Sequence, residues 1–145
     1  MEATLLLKRP RKAMRGGERG QSLVEFALVL PIFLVLLFAI VDFGMGLNAW
    51  ISVTNSAREG ARLGAVQADA PSIQQRVRDT AASLDQAKLT VSVTNAQGTP
   101  GESVVVTASY QYDLITPLAG LLQFISGNTI GPTLTFSSTS DMRLE

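Results

Sequence analysis

Residues 20–42 read GQSLVEFALVLPIFLVLLFAIVD, and this stretch decides the fold. From Leu23 to Val41 the only charged residue is Glu25. As an α-helix, these 19 residues span about 28 Å, which is close to the hydrocarbon thickness of a bilayer. Because apolar residues go all the way round such a helix, a buried helix of a soluble protein is disfavoured. We predict a transmembrane helix over residues 21–42.

The charges on either side of this run predict its orientation. Residues 1–20 carry a net charge of +4, and residues 21–145 carry −4. Basic residues beside a membrane span mark its cytoplasmic flank. We therefore expect a basic cytoplasmic leader at 1–20 and an exterior domain beyond the helix. A cleaved secretory signal is disfavoured, because the apolar run exceeds the usual ~7–15 residues and the nearest A-x-A, at 68–70, lies far beyond it.

Two residues are unusual within the apolar run. A carboxylate such as Glu25 costs roughly 2.5–3.5 kcal/mol on membrane-insertion scales, so its presence calls for a reason. Pro31 lacks the N–H that would bond the carbonyl of Ala27, and we expect a kink or a softened helix there.

The composition argues against several classes of function. The chain has no histidine and no cysteine, which removes the commonest general base and the usual zinc ligands. The carboxylates of Asp79, Asp85 and Asp113 lie in no recognisable motif, so we expect no enzyme, cofactor, metal or small-molecule substrate. The basic leader lacks a basic folded domain or interleaved aromatic residues, and we expect no nucleic-acid binding.

Beyond Asp42 the helical pattern continues as a stalk. Small or apolar residues recur at mostly three- and four-residue steps; they include Leu47, Trp50, Ile51, Thr54, Ala57 and Ala61. Residues 67–70 resemble a joint, and Pro71 suits the first turn of a new helix. That helix carries one apolar stripe, formed by Ile73, Val77, Ala81 and Leu84.

The remaining sequence predicts a small sheet. Leu89–Thr94 and Ser103–Tyr112 alternate with period two across a Gly- and Pro-containing loop, as in a β-hairpin. Leu118–Ile125 predicts a short helix and Leu134–Arg143 a third strand. The predicted fold class is α+β: a long N-terminal transmembrane helix continuing as a stalk, then a helix packed on a three-stranded antiparallel sheet. The predicted divisions are 1–20 (leader), 21–42 (span), 43–70 (stalk) and 71–145 (exterior domain).

Three stretches together resemble the TadE-like family, pseudopilins of the tight-adherence (Flp) pilus system. The first is RGQSLVEFALVLP at residues 19–31. The second is Asp42-Phe43-Gly44 followed by TNSAREGAR at residues 54–62, whose family-motif positions are Asp42, Asn55, Arg58, Glu59, Gly60 and Arg62. The third, looser, is Ser137-Ser138-Thr139 shortly before Met142-Arg143. The resemblance implies a pilin-like fold.

The resemblance also implies a function. A prepilin peptidase is expected to cut after Gly20, which makes Gln21 the new N-terminus and Glu25 the fifth mature residue. Glu25 is then expected to pair with the N-terminal amine of a neighbouring subunit. The implied protein is a minor pilin or pseudopilin of the cytoplasmic membrane, in a type IV pilus-like system for adhesion or secretion. Its implied partners are the membrane, the prepilin peptidase, other pilins and pilus assembly proteins.

An alternative remains open on the same residues. A single-pass membrane protein with a small exterior binding domain, outside any filament, would carry the same helix and sheet. Glu25 would then be a tolerated interfacial residue.

Overall fold

A computed structural model describes residues 17–127, 129, 131 and 133–145 of the chain. Helix α1 spans Gly17–Ala65. After it come α2 (Ala70–Thr80), β1 (Leu89–Thr94), β2 (Ser103–Asp113), α3 (Leu118–Ser126) and β3 (Thr133–Arg143). This order confirms the predicted α+β fold, with a long apolar helix followed by a helix and a three-stranded antiparallel sheet. Residues 1–16 of the predicted leader lie outside the described residues.

The chain divides into two compact units, of which the first reaches to Leu36. Its described residues belong to α1, and their large apolar side chains are exposed; Leu28 and Ile32 are 70% and 72% exposed. Helix α1 is long and apolar enough to cross a membrane. Its length and composition indicate a single-pass membrane anchor among the residues that the structure describes. It continues through Pro31, and the expected kink stays a prediction.

The second unit, Leu37–Glu145, is built around small residues of α1. Ala49, Val53, Ala57 and Ala61 recur every four residues, so they lie on one face of the helix, and all four are buried. Their small side chains let other elements approach the helix closely. This compact unit contains the whole of residues 43–70, and the predicted division between stalk and exterior domain stays a prediction.

Helix α2 and the sheet complete this core. Of the predicted stripe, Ile73 and Val77 of α2 are buried, and so is Ala81 just after the helix, which ends at Thr80; Leu84, further on, is partly buried against the core. Strand β2 lies between β1 and β3, and both pairings are antiparallel. Alternate residues of β2 face the core, as predicted: Val104, Val106, Ala108, Tyr110 and Tyr112. The opposite face of the sheet carries hydroxyls, and Thr107 and Ser109 contact Thr139 and Ser137 through them.

Residues 144 and 145 fasten the sheet to the end of α1. Leu144 is buried, and its backbone N–H donates to the Glu102 carbonyl at 2.8 Å. The Glu145 N–H donates to the carbonyl of Ala65 at 3.0 Å. The core of the unit thus draws on the chain from residue 49 to residue 144.

An ion pair joins the start of β1 to the end of β2. Lys88 Nζ lies 2.8 Å from Asp113 Oδ2, and the Thr133 hydroxyl donates to Asp113 Oδ1 at 2.8 Å. Hydrogen bonds from Lys88 and then Thr133 hold the pKa of Asp113 below its ordinary value of 3.8. A carboxyl group with a lowered folded pKa stabilises the fold above its unfolded pKa. That stabilisation is lost as the pH falls through the folded value.

We therefore expect Lys88→Met to reduce the acid dependence of stability below pH 3.8. The effect is small, because both partners are partly exposed and water screens the pair. Thermal unfolding of the full chain in detergent, followed by circular dichroism across the acid range, measures it. Asp141→Asn, an exposed carboxylate on β3, is the matched control. Identical pH profiles for Lys88→Met and the unsubstituted chain would contradict the assignment.

Candidate functional site

The predicted processing residues lie near the start of α1. Gly20 and Gln21 are exposed, and a Cβ added to Gly20 would meet no atom within 4 Å. The Gln21 side-chain amide Nε2 donates a hydrogen bond to Glu25 Oε1 at 3.0 Å. Residues 21 and 25 therefore share one helix face, one turn apart. The structure brings these two residues together, and their roles in processing and pairing stay predictions.

Asp42 is a buried carboxylate at the end of the predicted span. It is 3% exposed. Its Oδ1 accepts hydrogen bonds from the backbone N–H groups of Ile115, at 2.9 Å, and Thr116, at 3.3 Å. The Thr116 hydroxyl donates to Oδ2. Asp42 thus fixes the loop between β2 and α3 onto α1.

Tyr112 strengthens the same junction. Its hydroxyl donates to the backbone carbonyl of Asp42 at 3.3 Å, and its ring lies 5.9 Å from that of Phe136. Burial raises the pKa of the Tyr112 hydroxyl, and the charge of Asp42 adds to the increase. The tyrosine therefore stays neutral and remains a hydrogen-bond donor at physiological pH.

Gly60 lies on α1 where side chains of α2 and β2 pack closely against it. A Cβ at this position would lie 2.5 Å from Val77 Cγ2 and 3.2 Å from Val106 Cγ1. Both valines are fully buried, so neither has room to move away. The absence of a side chain at Gly60 leaves room for these valines of α2 and β2 against α1.

We expect Gly60→Ala to destabilise the second unit. Overpacking a filled core costs typically ~1–3 kcal/mol, and alanine returns about 1 kcal/mol of helix propensity. Gly44→Ala is the matched control, since a Cβ at Gly44 meets nothing within 4 Å and only the propensity gain applies. Thermal unfolding of the full chain in detergent compares the two. A Gly60→Ala protein that unfolds at the same temperature as Gly44→Ala would contradict this packing.

Glu59 links α1 to α2 through two arginines. Arg62 Nη2 lies 2.9 Å from Glu59 Oε1, and Arg76 Nε of α2 lies 3.6 Å from the same oxygen. The hydrogen bond from Arg62 lowers the pKa of Glu59 from its ordinary value, and the charges of Arg62 and Arg76 add to this. The sequence spacing predicted the pair with Arg62; the contact with Arg76 required the fold. Both arginines are exposed and Glu59 is partly exposed, so water screens these pairs and their contribution to stability is modest.

Asn55 and Arg58 lie on the same side of α1 as Arg62. Both are exposed, and they line a shallow surface depression with Glu59, Arg62, Thr80 and Met142. The family-motif residues between 55 and 62 therefore have different surroundings. Gly60 faces the core, Glu59 faces α2, and Asn55 and Arg58 face solvent.

Two features of the site were not predicted from the sequence. The hydrogen bonds of Asp42 join residues more than 70 positions apart, and no local sequence pattern predicts them. The close approach of Gly60 to Val77 and Val106 also joins residues of different elements, although they are nearer in the sequence. In the part of the chain that the structure describes, no group of three or more acidic side chains comes together to hold a metal ion.

Comparison with known families gives a match over much of α1. The family model described as TadE-like protein matches residues 20–62. This segment is TadE-like. No curated protein and no solved structure matches the chain.

The TadE-like segment contains every site residue predicted from the sequence. It starts at Gly20, includes Glu25 and Pro31, and extends through Asp42 to Arg62. Several residues of this segment contact residues outside it. Thr116 and Tyr112 donate hydrogen bonds to Asp42, Val77 packs against Gly60, and Arg76 forms an ion pair with Glu59. The match supports a Tad pilus-associated, pseudopilin-type role in general terms.

Proposed function

We propose that the chain is a minor pilin or pseudopilin, a membrane-anchored structural component for assembly of a tight-adherence pilus. The observation that carries the proposal is the match of the TadE-like family to residues 20–62. A helix that carries a membrane-spanning run and also contributes one face to a small α+β domain suits a membrane-anchored structural subunit.

The proposal includes cleavage by a prepilin peptidase between Gly20 and Gln21. The basic residues before Gly20 favour a cytoplasmic location for this bond. Glycine has no side chain to obstruct an extended backbone in a protease cleft. Gly20 lies in α1, so cleavage requires local opening of the first turns. Gly20 and Gln21 are exposed, and a Cβ at Gly20 would meet no atom within 4 Å, which favours access to this bond.

We expect the protein isolated from membranes of cells with an active prepilin peptidase to begin at Gln21. Mass spectrometry of the intact protein measures this. Gly20→Val should block cleavage, because a β-branched side chain enters the proposed cleft, whereas Gly17→Val, three residues earlier, should leave it unchanged. Persistence of residues 1–20 in the unsubstituted protein would refute the processing step.

A further inference from the structure

Helix α3 exposes an unusually apolar surface. None of its residues is buried; Phe124 is 85% exposed and Ile125 72% exposed. No Asp, Glu, Lys or Arg occurs from residue 114 to residue 140. Large apolar side chains exposed together mark an interaction surface rather than an ordinary solvated helix.

The segment just before α3 is bonded to Asp42, the last residue of the predicted membrane span. Asp42 is the first charged residue after the apolar run of α1, and it binds Ile115 and Thr116 just before α3. The Thr116 hydroxyl in turn accepts a hydrogen bond from the N–H of Leu118, the first residue of α3. The exposed helix is therefore anchored beside the boundary between hydrocarbon and the polar region.

An open cavity of about 530 Å³ lies between α1, α3 and β3. Ala39, Phe43 and Trp50 of α1, Leu118 of α3 and Phe136 of β3 are among the residues that line it. Asp42 is the one ionisable side chain in its lining, and its oxygens already bond the loop. The cavity therefore presents mainly apolar side chains to a ligand, and its one ionisable group is already hydrogen-bonded within the protein.

We propose that α3 and this cavity form a lipid-contacting surface. Helix α3 lies in the membrane interface at the Asp42 end of the span, with Phe124 and Ile125 among the acyl chains. The cavity holds an acyl chain of the same leaflet. Three observations favour lipid over a protein partner: continuity with the apolar run of α1, absence of charge over residues 114–140, and a tryptophan at the cavity wall. This proposal goes beyond the assembly role and does not depend on it.

The full chain, reconstituted in phosphatidylcholine–phosphatidylglycerol vesicles, provides the test. Because the sequence has no cysteine, Phe124→Cys or Ile125→Cys can carry a single environment-sensitive fluorophore. Both positions are largely exposed, so the label does not disturb the core. Ser92→Cys, exposed on β1, is the matched control. We expect blue-shifted emission at residues 124 and 125, with quenching by shallow spin-labelled lipids several-fold greater than at residue 92.

The single tryptophan reports on the cavity without any substitution. Trp50 emission should be quenched in vesicles whose lipids carry brominated acyl chains. Quenching at residues 124 and 125 no greater than at residue 92 would overturn the interfacial position of α3, and unquenched Trp50 would overturn acyl-chain occupancy. A blue shift that disappears as protein is diluted with lipid would overturn the proposal in favour of a second copy of this chain.

Discussion

Replacing Glu25 by glutamine is expected to abolish incorporation of the protein into pilin assemblies. In the proposed assembly, the Glu25 carboxylate pairs within the bilayer with the amine created at Gln21. Removing one partner of a buried ion pair costs about 3–5 kcal/mol, because the other charge stays buried without compensation. That cost corresponds to more than a hundredfold weaker association, since each 1.4 kcal/mol is about tenfold.

The measurement is recovery of partner pilins by crosslinking and co-purification from the native host, together with the number of pili per cell. Glu25→Asp keeps the charge and should retain partial function, while Gln21→Ala keeps the carboxylate and removes only its present hydrogen-bond donor. Normal piliation and partner recovery with Glu25→Gln would instead favour a single-pass membrane protein that enters no filament. The N-terminal mass of each variant separates a failure of pairing from a failure of cleavage.

Replacing Asp42 by alanine is expected to release the loop before α3 from α1. Two backbone N–H groups and the Thr116 hydroxyl lose their shared acceptor. Hydrogen bonds to a charged group contribute about 1.5–3 kcal/mol each, and since one carboxylate serves all three, we expect a total loss near 3 kcal/mol. For a unit of this size that lowers the melting temperature by roughly 10 °C.

Amide hydrogen exchange locates the effect. Ile115 and Thr116 should exchange much faster in Asp42→Ala than in the unsubstituted protein, since both lose their acceptor. Asp42→Asn retains an acceptor oxygen and should cost less than alanine. Ser52→Ala is the matched control on α1, because it removes one hydrogen bond within the helix, to the carbonyl of Asn48. Equal melting temperatures for Asp42→Ala and Ser52→Ala would contradict the role of Asp42.

Local sequence pattern predicted the elements well and their contacts less well. Period-two alternation identified β1 and β2 and the inward face of β2, because alternate residues of a strand point to opposite faces. The predicted third strand began at Leu134, and β3 begins at Thr133. These features depend on neighbours in sequence, so they are visible without the fold.

The face of α1 that enters the core was harder to predict. The sequence pattern drew attention to Leu47, Trp50 and Ile51, which are 40%, 48% and 52% exposed in the structure. The buried face passes through Ala49, Val53, Ala57 and Ala61, and of these the pattern had included Ala57 and Ala61. Size decided this, since close packing of a sheet and α2 selects small residues, whereas a hydrophobicity pattern favours large ones.

The sequence predicted only those features of the site that depend on residues close together in the chain. The spacing of Gly20 and Glu25 and the pairing of Glu59 with Arg62 follow from positions along one helix. In the sequence, Asp42 was identified only as the end of the predicted span and as a family-motif position. Its hydrogen bonds to Ile115 and Thr116 could not be predicted, because they depend on how the whole second unit folds. The outcome of the processing and pairing predictions rests on the experiments above.

The core of the second unit contains residues far apart in the sequence, so it can be completed only late in synthesis of the chain. Ala49 is buried in a core that also needs Leu144, which is made 95 residues later. At ribosomal rates of ~5–20 residues per second, that interval is roughly 5–20 s. Until β3 and Leu144 have been made, the sheet that covers the alanine- and valine-lined face of α1 is incomplete. A nascent chain of this protein therefore presents part of that face to its surroundings for several seconds before the domain can close.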